Sequence, residues 1–242
     1  MTALPSRVRG DLAVALVALV VLAGWELSGL DLTVSAWFGS ANGFAARDAW
    51  WASTLAHQGG RLAAWLLLAV IALDALRPLW PGPPRRERRF WLTVTVACLL
   101  LVPALKRASG SSCPWDLAPF GGAAAYVPHW RLGVFDGGPG HCFPSGHAVA
   151  AFGFLGGYFL WRRHRPVAAR RWLAGVCAAG LLFGAAQVLR GAHFVSHVLW
   201  AAWLCWTVCS VADVIVRSMV SGRLDASAVA IGTTTMFLER RS

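Results

Sequence analysis

A chain of 242 residues that is 57% hydrophobic, carries 14 tryptophans and has long stretches free of charge holds more apolar surface than a water-soluble domain of its length buries in one core. It reads as an integral membrane protein, which sets aside a soluble enzyme. The formal net charge of +11 does not call for nucleic acid, because the basic residues gather at the ends of apolar segments, where membrane topology accounts for them.

Six apolar segments follow one another, at about 12–30, 62–76, 90–105, 147–161, 172–189 and 194–216, each near the ~20 residues that span a bilayer. Arg7 and Arg9 precede the first; Arg77, Arg85, Arg86, Arg88 and Arg89 lie between the second and third. Arg162, Arg163, Arg165, Arg170 and Arg171 lie between the fourth and fifth, and Arg217, Arg223, Arg240 and Arg241 follow the sixth. Sixteen of the 22 basic residues thus fall on one side, and the positive-inside rule places that side, with both termini, in the cytoplasm. The expected fold is an all-α membrane protein of six transmembrane helices, one polytopic domain over 1–242.

The basic start and apolar middle of the first segment also fit a cleaved signal peptide, but it reads better as an uncleaved span, since its apolar run exceeds the ~7–15 residues of a signal-peptide core. After it, "LDLTVSAWFGSANGFAARDAWWASTLAHQGG" mixes apolar residues with Trp37, Trp50 and Trp51, as an amphipathic segment lying at the interface does. His57 within it is expected to be a solvated surface residue. "RPLWPGPPRRERR" reads as a cytoplasmic turn rather than a domain boundary.

The chemistry gathers on the opposite side. Lys106 ends the third segment, Pro144 to His147 opens the fourth, and Arg190 to His197 joins the fifth to the sixth. Ser145 is a good N-cap, and the amides of Ser145 and Gly146 at a helix start suit an anion, although a plain cap is the simpler reading. His147 is placed to transfer a proton beside that anion. His193 and His197 are four apart, hence on one helix face, with Arg190 just before them in a glycine-containing turn. A cation beside two imidazoles suits a phosphate that is held and attacked; the alternative is a pair of polar residues facing lipid headgroups. The same spacing serves metal sites, but no glutamate follows the first histidine as in His-Glu-x-x-His, so neither metal nor cofactor is expected.

These residues resemble the type 2 phosphatidic acid phosphatase family, membrane lipid phosphatases whose helical core is shared with bacterial acid phosphatases and vanadium haloperoxidases. That family carries Lys, six residues, Arg-Pro; then Pro-Ser-Gly-His; then Ser-Arg, five residues, His, three residues, Asp. The second motif matches without change at Pro144, Ser145, Gly146 and His147. In the first, "KRASGSSCP" keeps Lys106 and Pro114 but has Cys113 in place of arginine. In the third, "AQVLRGAHFVSH" aligns His193 with the nucleophilic histidine, while Ser-Arg becomes Ala186-Gln187 and Asp becomes His197.

The resemblance covers residues 106–197 within a motif core of about 90–217, and it implies a nucleophile at His193, a general acid at His147 and phosphate binding by Lys106. Arg190, one helical turn beyond Gln187, stands in for one lost arginine, with Arg107, Arg131 or His141 for the other. Orientation of His193 falls to His197 or to Asp116.

Cys98, Cys177, Cys205 and Cys209 fall inside apolar segments as packing residues. Cys113 and Cys142 lie in outer loops and are expected to bridge in an oxidising periplasm, the alternative being two free thiols.

The activity implied is hydrolysis of a phosphomonoester or diphosphate of a lipid at the periplasmic face of a bacterial inner membrane, through a phosphohistidine and without metal. The alternatives are a lipid phosphotransferase using the same intermediate and a non-catalytic phospholipid-binding protein. The partners are the bilayer and the lipid substrate; the sequence is silent on the lipid's identity and on oligomeric state.

Overall fold

The computed structural model describes the backbone of residues 6–131 and 133–239; the side chains at 55–57 and 218–239 are outside it. The readings on His57, Arg223, Arg240 and Arg241 therefore lie outside the described residues.

Helices dominate, and among the described residues four are long and apolar enough to cross a membrane. They are α1 (Ser6–Ser28), α4 (Arg85–Ala108), α7 (Pro166–Leu189) and the Val195–Arg217 part of α8 (Val195–Glu239). At ~1.5 Å rise per residue such helices reach about 35 Å, more than the ~30 Å hydrocarbon layer.

The other two apolar segments are helical but fall short of that measure. α3 (Gly60–Leu76) has 17 residues. The stretch from Gly146 is divided into α5 (Gly146–Phe152), a 3-10 turn (Gly153–Leu155) and α6 (Gly156–Trp161). Packing explains the tightened turn: a Cβ on Gly153 would stand 2.6 Å from Leu99 Cδ2, so the glycine lets this segment lie close against α4.

The core forms where α4, α5, α6 and α8 meet, from Trp91, Cys98, Val102, Val149, Phe152, Phe159, Val198 and Cys205. Trp91 stacks on Phe159 at 5.3 Å between centroids. The outward faces keep Val14, Val17, Val20 and Val21 of α1 and Leu62, Trp65 and Leu66 of α3 exposed, a surface suited to acyl chains rather than water.

The helical segments run between two chemically distinct ends. At the arginine-rich end Arg88 is buried against Asp74 and donates to the carbonyls of Pro83 (2.7 Å) and Trp80 (2.6 Å). Arg162 donates to Asp11 (2.7 Å) and Asp213 (3.0 Å), and Arg217 joins Asp213 at 2.5 Å, tying α1, α6 and α8 together.

At the other end α2 (Leu30–Ala36), a hairpin of β1 (Gly39–Ser40) and β2 (Gly43–Phe44), and a π-helix (Trp51–Gly59) connect α1 to α3. Trp37, Trp50 and Trp51 are exposed, as an interfacial segment requires, but Asp31 and Phe44 are buried. Phe44 packs with Leu117, Phe120, Ala124 and Phe194. The connection is thus a roof over the start of α8 as well as an interfacial strip.

Candidate active site

The chain leaving α4 at Lys106 is strapped to the chain entering α5. His141 and Cys142 donate their amides to the carbonyls of Ser109 (2.8 Å) and Ser111 (2.9 Å). Asp136 accepts from the Ser112 amide (2.5 Å) and hydroxyl (2.8 Å). Cys113 and Cys142 are joined as a disulfide with Cα atoms 5.2 Å apart. The cysteine at the motif's arginine position thereby fixes the Lys106 segment against Pro-Ser-Gly-His.

At the start of α5 the Ser145 hydroxyl caps the helix, accepting from the Ala148 amide at 3.4 Å. The Ser145 amide is not free for an anion, because it donates to the His197 carbonyl at 3.0 Å; that part of the sequence reading is corrected. The bond instead ties the second motif to the third. Lys106 runs beside Gly146, where a Cβ would stand 3.7 Å from its Cδ and 4.0 Å from its Nζ.

His193 and His197 do not share a helix face as their spacing suggested. Gly191 adopts a left-handed φ of 72° after α7, and the Gln187 carbonyl takes the amides of Ala192 (2.9 Å) and His193 (3.3 Å). α8 therefore starts only at Val195, leaving His193 in the connecting turn. The rings still converge: centroids lie 5.7 Å apart for His193–His197 and 5.6 Å for His193–His147.

His193 Nε2 lies 3.4 Å from His147 Nδ1, while its Nδ1 lies 3.6 Å from the Cys142 sulfur. His193 is 1% exposed. Burial first, then the nearby Lys106, His147 and His197, push its pKa well below the usual value of 6.5, against a hydrogen bond that the ring donates to the Cys142 backbone. His193 is thus neutral at pH 7. With Nδ1–H directed at Cys142, the lone pair on Nε2 faces His147.

His197 is equally buried, and its Nδ1 has no hydrogen-bond partner among the described residues. It lines a polar cavity of ≈ 10 Å³ with Ser111, Ser112, Tyr126, His129 and Asp136, room for about one water.

The cations are placed unevenly. Arg190 donates from Nε to the Arg47 carbonyl (2.8 Å) and from Nη1 to Gln187 Oε1 (3.3 Å), and its guanidinium lies 5.7 Å from the Trp115 ring centroid. Gln187, at the motif's arginine position, is 1% exposed, and its Nε2 has no hydrogen-bond partner among the described residues. Arg107, Arg131 and His141 are exposed. Asp116 does not orient His193: its carboxylate accepts from the Cys113 amide at 3.3 Å and closes a 3-10 turn at Pro114–Asp116.

Two carboxylates that sequence reasoning passed over reach α8 from the N-terminal segments. Asp31 accepts from the Ser196 amide (3.0 Å) and hydroxyl and from the Trp25 indole (2.8 Å). It does for α8 what an N-cap does, since Phe194 before the helix has no acceptor side chain. Burial pushes the Asp31 carboxyl up, against those hydrogen bonds.

Glu26 accepts from the Trp200 indole at 2.8 Å and lies 2.9 Å from His129 Nε2. His129 stacks on Phe143 at 3.9 Å, just ahead of Pro144. The signal was available: acidic residues in or beside an apolar segment are expensive and are kept for a purpose.

Comparison with known proteins gives the family and the fold. Residues 89–219, more than half of the chain, match the family model described as PAP2 superfamily. Among solved structures, the chain is similar to the crystal structure of the first transmembrane PAP2 type phosphatidylglycerolphosphate phosphatase from Bacillus subtilis, at 19% identity and a TM-score of 0.51. That match covers 86% of this chain and 96% of the other. No curated protein sequence matches.

Proposed function

The chain belongs to the PAP2 superfamily, and on that premise we propose that it is a membrane lipid phosphatase that hydrolyses a phosphomonoester or diphosphate of a lipid through a phosphohistidine. The observation that carries this is the pairing of His193 Nε2 with His147 Nδ1 at 3.4 Å, with Lys106 alongside Gly146.

His193 is kept neutral by burial, so its Nε2 lone pair is available to attack phosphorus at neutral pH. As the N–P bond forms, the bond to the leaving oxygen breaks and His147 donates a proton to that oxygen. His147, now neutral, takes a proton from the water that cleaves the phosphohistidine.

Charge on the transferring group is met by Lys106, by the Gly146 amide and by the Gln187 Nε2 amide, which takes the place of a motif arginine. Arg190 supports Gln187 and adds positive field. With these donors in place, the reaction as proposed needs no metal.

The arginine distribution supports six spans with both termini cytoplasmic, which turns the histidine end toward the periplasm of a bacterial inner membrane. A lipid of the outer leaflet then brings its phosphate to His193.

The test is inorganic phosphate release from phosphatidate, phosphatidylglycerophosphate and a polyprenyl diphosphate in detergent micelles with EDTA present, comparing the purified protein with His193→Ala. Release from at least one lipid that vanishes in the variant supports the proposal. Turnover only when a second lipid acceptor is added means phosphotransfer, and no turnover by folded protein refutes catalysis.

A further inference from the structure

One ligand atom from each of Cys142, His193 and His197 lies within 4.8 Å of the others, and all three residues are buried. The Cys142 sulfur is 3.6 Å from His193 Nδ1. Tetrahedral zinc, with Zn–S near 2.3 Å and Zn–N near 2.0–2.1 Å, sets sulfur and nitrogen about 3.6 Å apart. The Cys142–His193 pair already stands at that separation, and the His197 donor lies within 4.8 Å of both. One thiolate with two imidazoles is also a donor set for zinc rather than for magnesium or calcium.

His197 adds an independent sign, because its buried Nδ1 has no hydrogen-bond partner among the described residues. What closes the site is the bond from Cys142 to Cys113, since a metal takes the thiolate and not the disulfide sulfur.

We infer that Cys142, His193 and His197 form a latent site for zinc or a metal of like chemistry, closed by the Cys113–Cys142 disulfide and opened when that bond is reduced. With a phosphine as reductant, the S–S bond breaks, each sulfur gains a proton, and the phosphine becomes its oxide with oxygen from water. Metal then displaces the Cys142 proton, and the resulting thiolate offsets the positive charge of Lys106.

Ligation through His193 Nδ1 moves that ring's proton to Nε2 and removes the lone pair facing His147. A metal in the reduced chain therefore takes the nucleophile out of use. Only this last consequence rests on the phosphatase reading.

The experiment uses Cys113→Ser, which leaves Cys142 as a free thiol without reductant, titrated with Co²⁺ in detergent. The expected result is a near-ultraviolet thiolate-to-metal absorption band in Cys113→Ser. The band is absent from the bridged wild type, and it is lost when Cys142→Ser or His197→Ala is added to Cys113→Ser. Wild type reduced with a phosphine is expected to give the same band, which keeps the test decisive if Cys113→Ser fails to fold.

Zn²⁺ is then expected to stop phosphate release by the reduced chain but not by the bridged one, with EDTA restoring it. Equal Co²⁺ binding by the bridged wild type, or none by the folded variant and the reduced chain, overturns the site. Binding without inhibition upholds the site and removes His193 as nucleophile.

Discussion

The two ends of the bundle bury polar groups in different ways. At the arginine-rich end Arg88 meets Asp74 and two carbonyls, and Arg162 lies between Asp11 and Asp213 with its guanidinium 4.4 Å from the Phe159 ring centroid. Among the described residues both ends bury groups without hydrogen-bond partners, but at the first the atom is Nε of Arg162, whose guanidinium is held by two carboxylates, while at the histidine end they are His197 Nδ1 and Gln187 Nε2, beside which His141 takes a left-handed φ of 56°. Buried charge in ion pairs serves architecture. The His197 and Gln187 groups, which no ion pair holds, mark a place built for something that arrives.

If that contrast holds, substitutions at the two ends separate activity from stability. The largest effect on activity belongs to His193→Ala, expected to lower phosphate release by at least about a thousandfold, while its melting temperature falls only by the cost of a cavity, less than when a buried charge partner is removed. The reverse is expected of Arg162→Met. Leaving Asp11 without its partner costs about 3–5 kcal/mol, read as a lower Tm in detergent, while kcat of the remaining folded protein stays near wild type. Equal loss of activity and stability at both ends would break the comparison.

Lys106→Met is expected to lower kcat/KM by about a hundredfold through lost stabilisation of the transferring phosphoryl group, and it also shifts the pH profile. His193 acts as the neutral ring and its folded value is depressed, so the acid limb of kcat/KM lies below pH 6.5. Removing the Lys106 charge raises that value and moves the limb up. The same depression means that the unfolded chain takes the proton first as pH falls through 6.5, so Tm should drop between pH 7 and 5. An acid limb that Lys106→Met leaves in place would refute this electrostatic coupling.

Asp31→Ala sharpens the contrast from the roof side. Losing the cap on α8 costs about 1 kcal/mol, and the displaced turn at His193 lowers kcat by about tenfold or more with KM little changed. Asp31→Asn, which keeps an acceptor for the Ser196 amide, should recover most of both. Hydrogen exchange over residues 191–200 checks the cap directly, rising in Asp31→Ala and staying near wild type in Asp31→Asn.

Much of this was legible in the sequence because its signals are local. The helical segments follow from apolar run length, and Pro144 to His147 together with His193 and Lys106 carry the family resemblance. What spacing could not give was where α8 begins. His193 and His197 at i and i+4 looked like one helix face, but Gly191 and the Gln187 carbonyl delay the helix to Val195.

Nor could spacing show that the Ser145 amide is taken by the His197 carbonyl, 52 residues on. Asp31 and Glu26 stand out as acidic residues by an apolar segment, but their partners were invisible for a similar reason: they act across 165 and 174 residues on Ser196 and Trp200. A carboxylate reaching a helix end through space leaves no periodic trace.

The central claim, that His193 is the nucleophile, is tested most directly by trapping the intermediate. The protein is mixed with a lipid substrate carrying ³²P in the transferred phosphate, quenched in alkali within the first turnover, digested and mapped. The account predicts acid-labile, alkali-stable label on the peptide containing His193, absent from His193→Ala and more abundant in His147→Ala with a substrate whose leaving group needs no protonation. Turnover by wild type with no label on His193, or label on another residue, would contradict it.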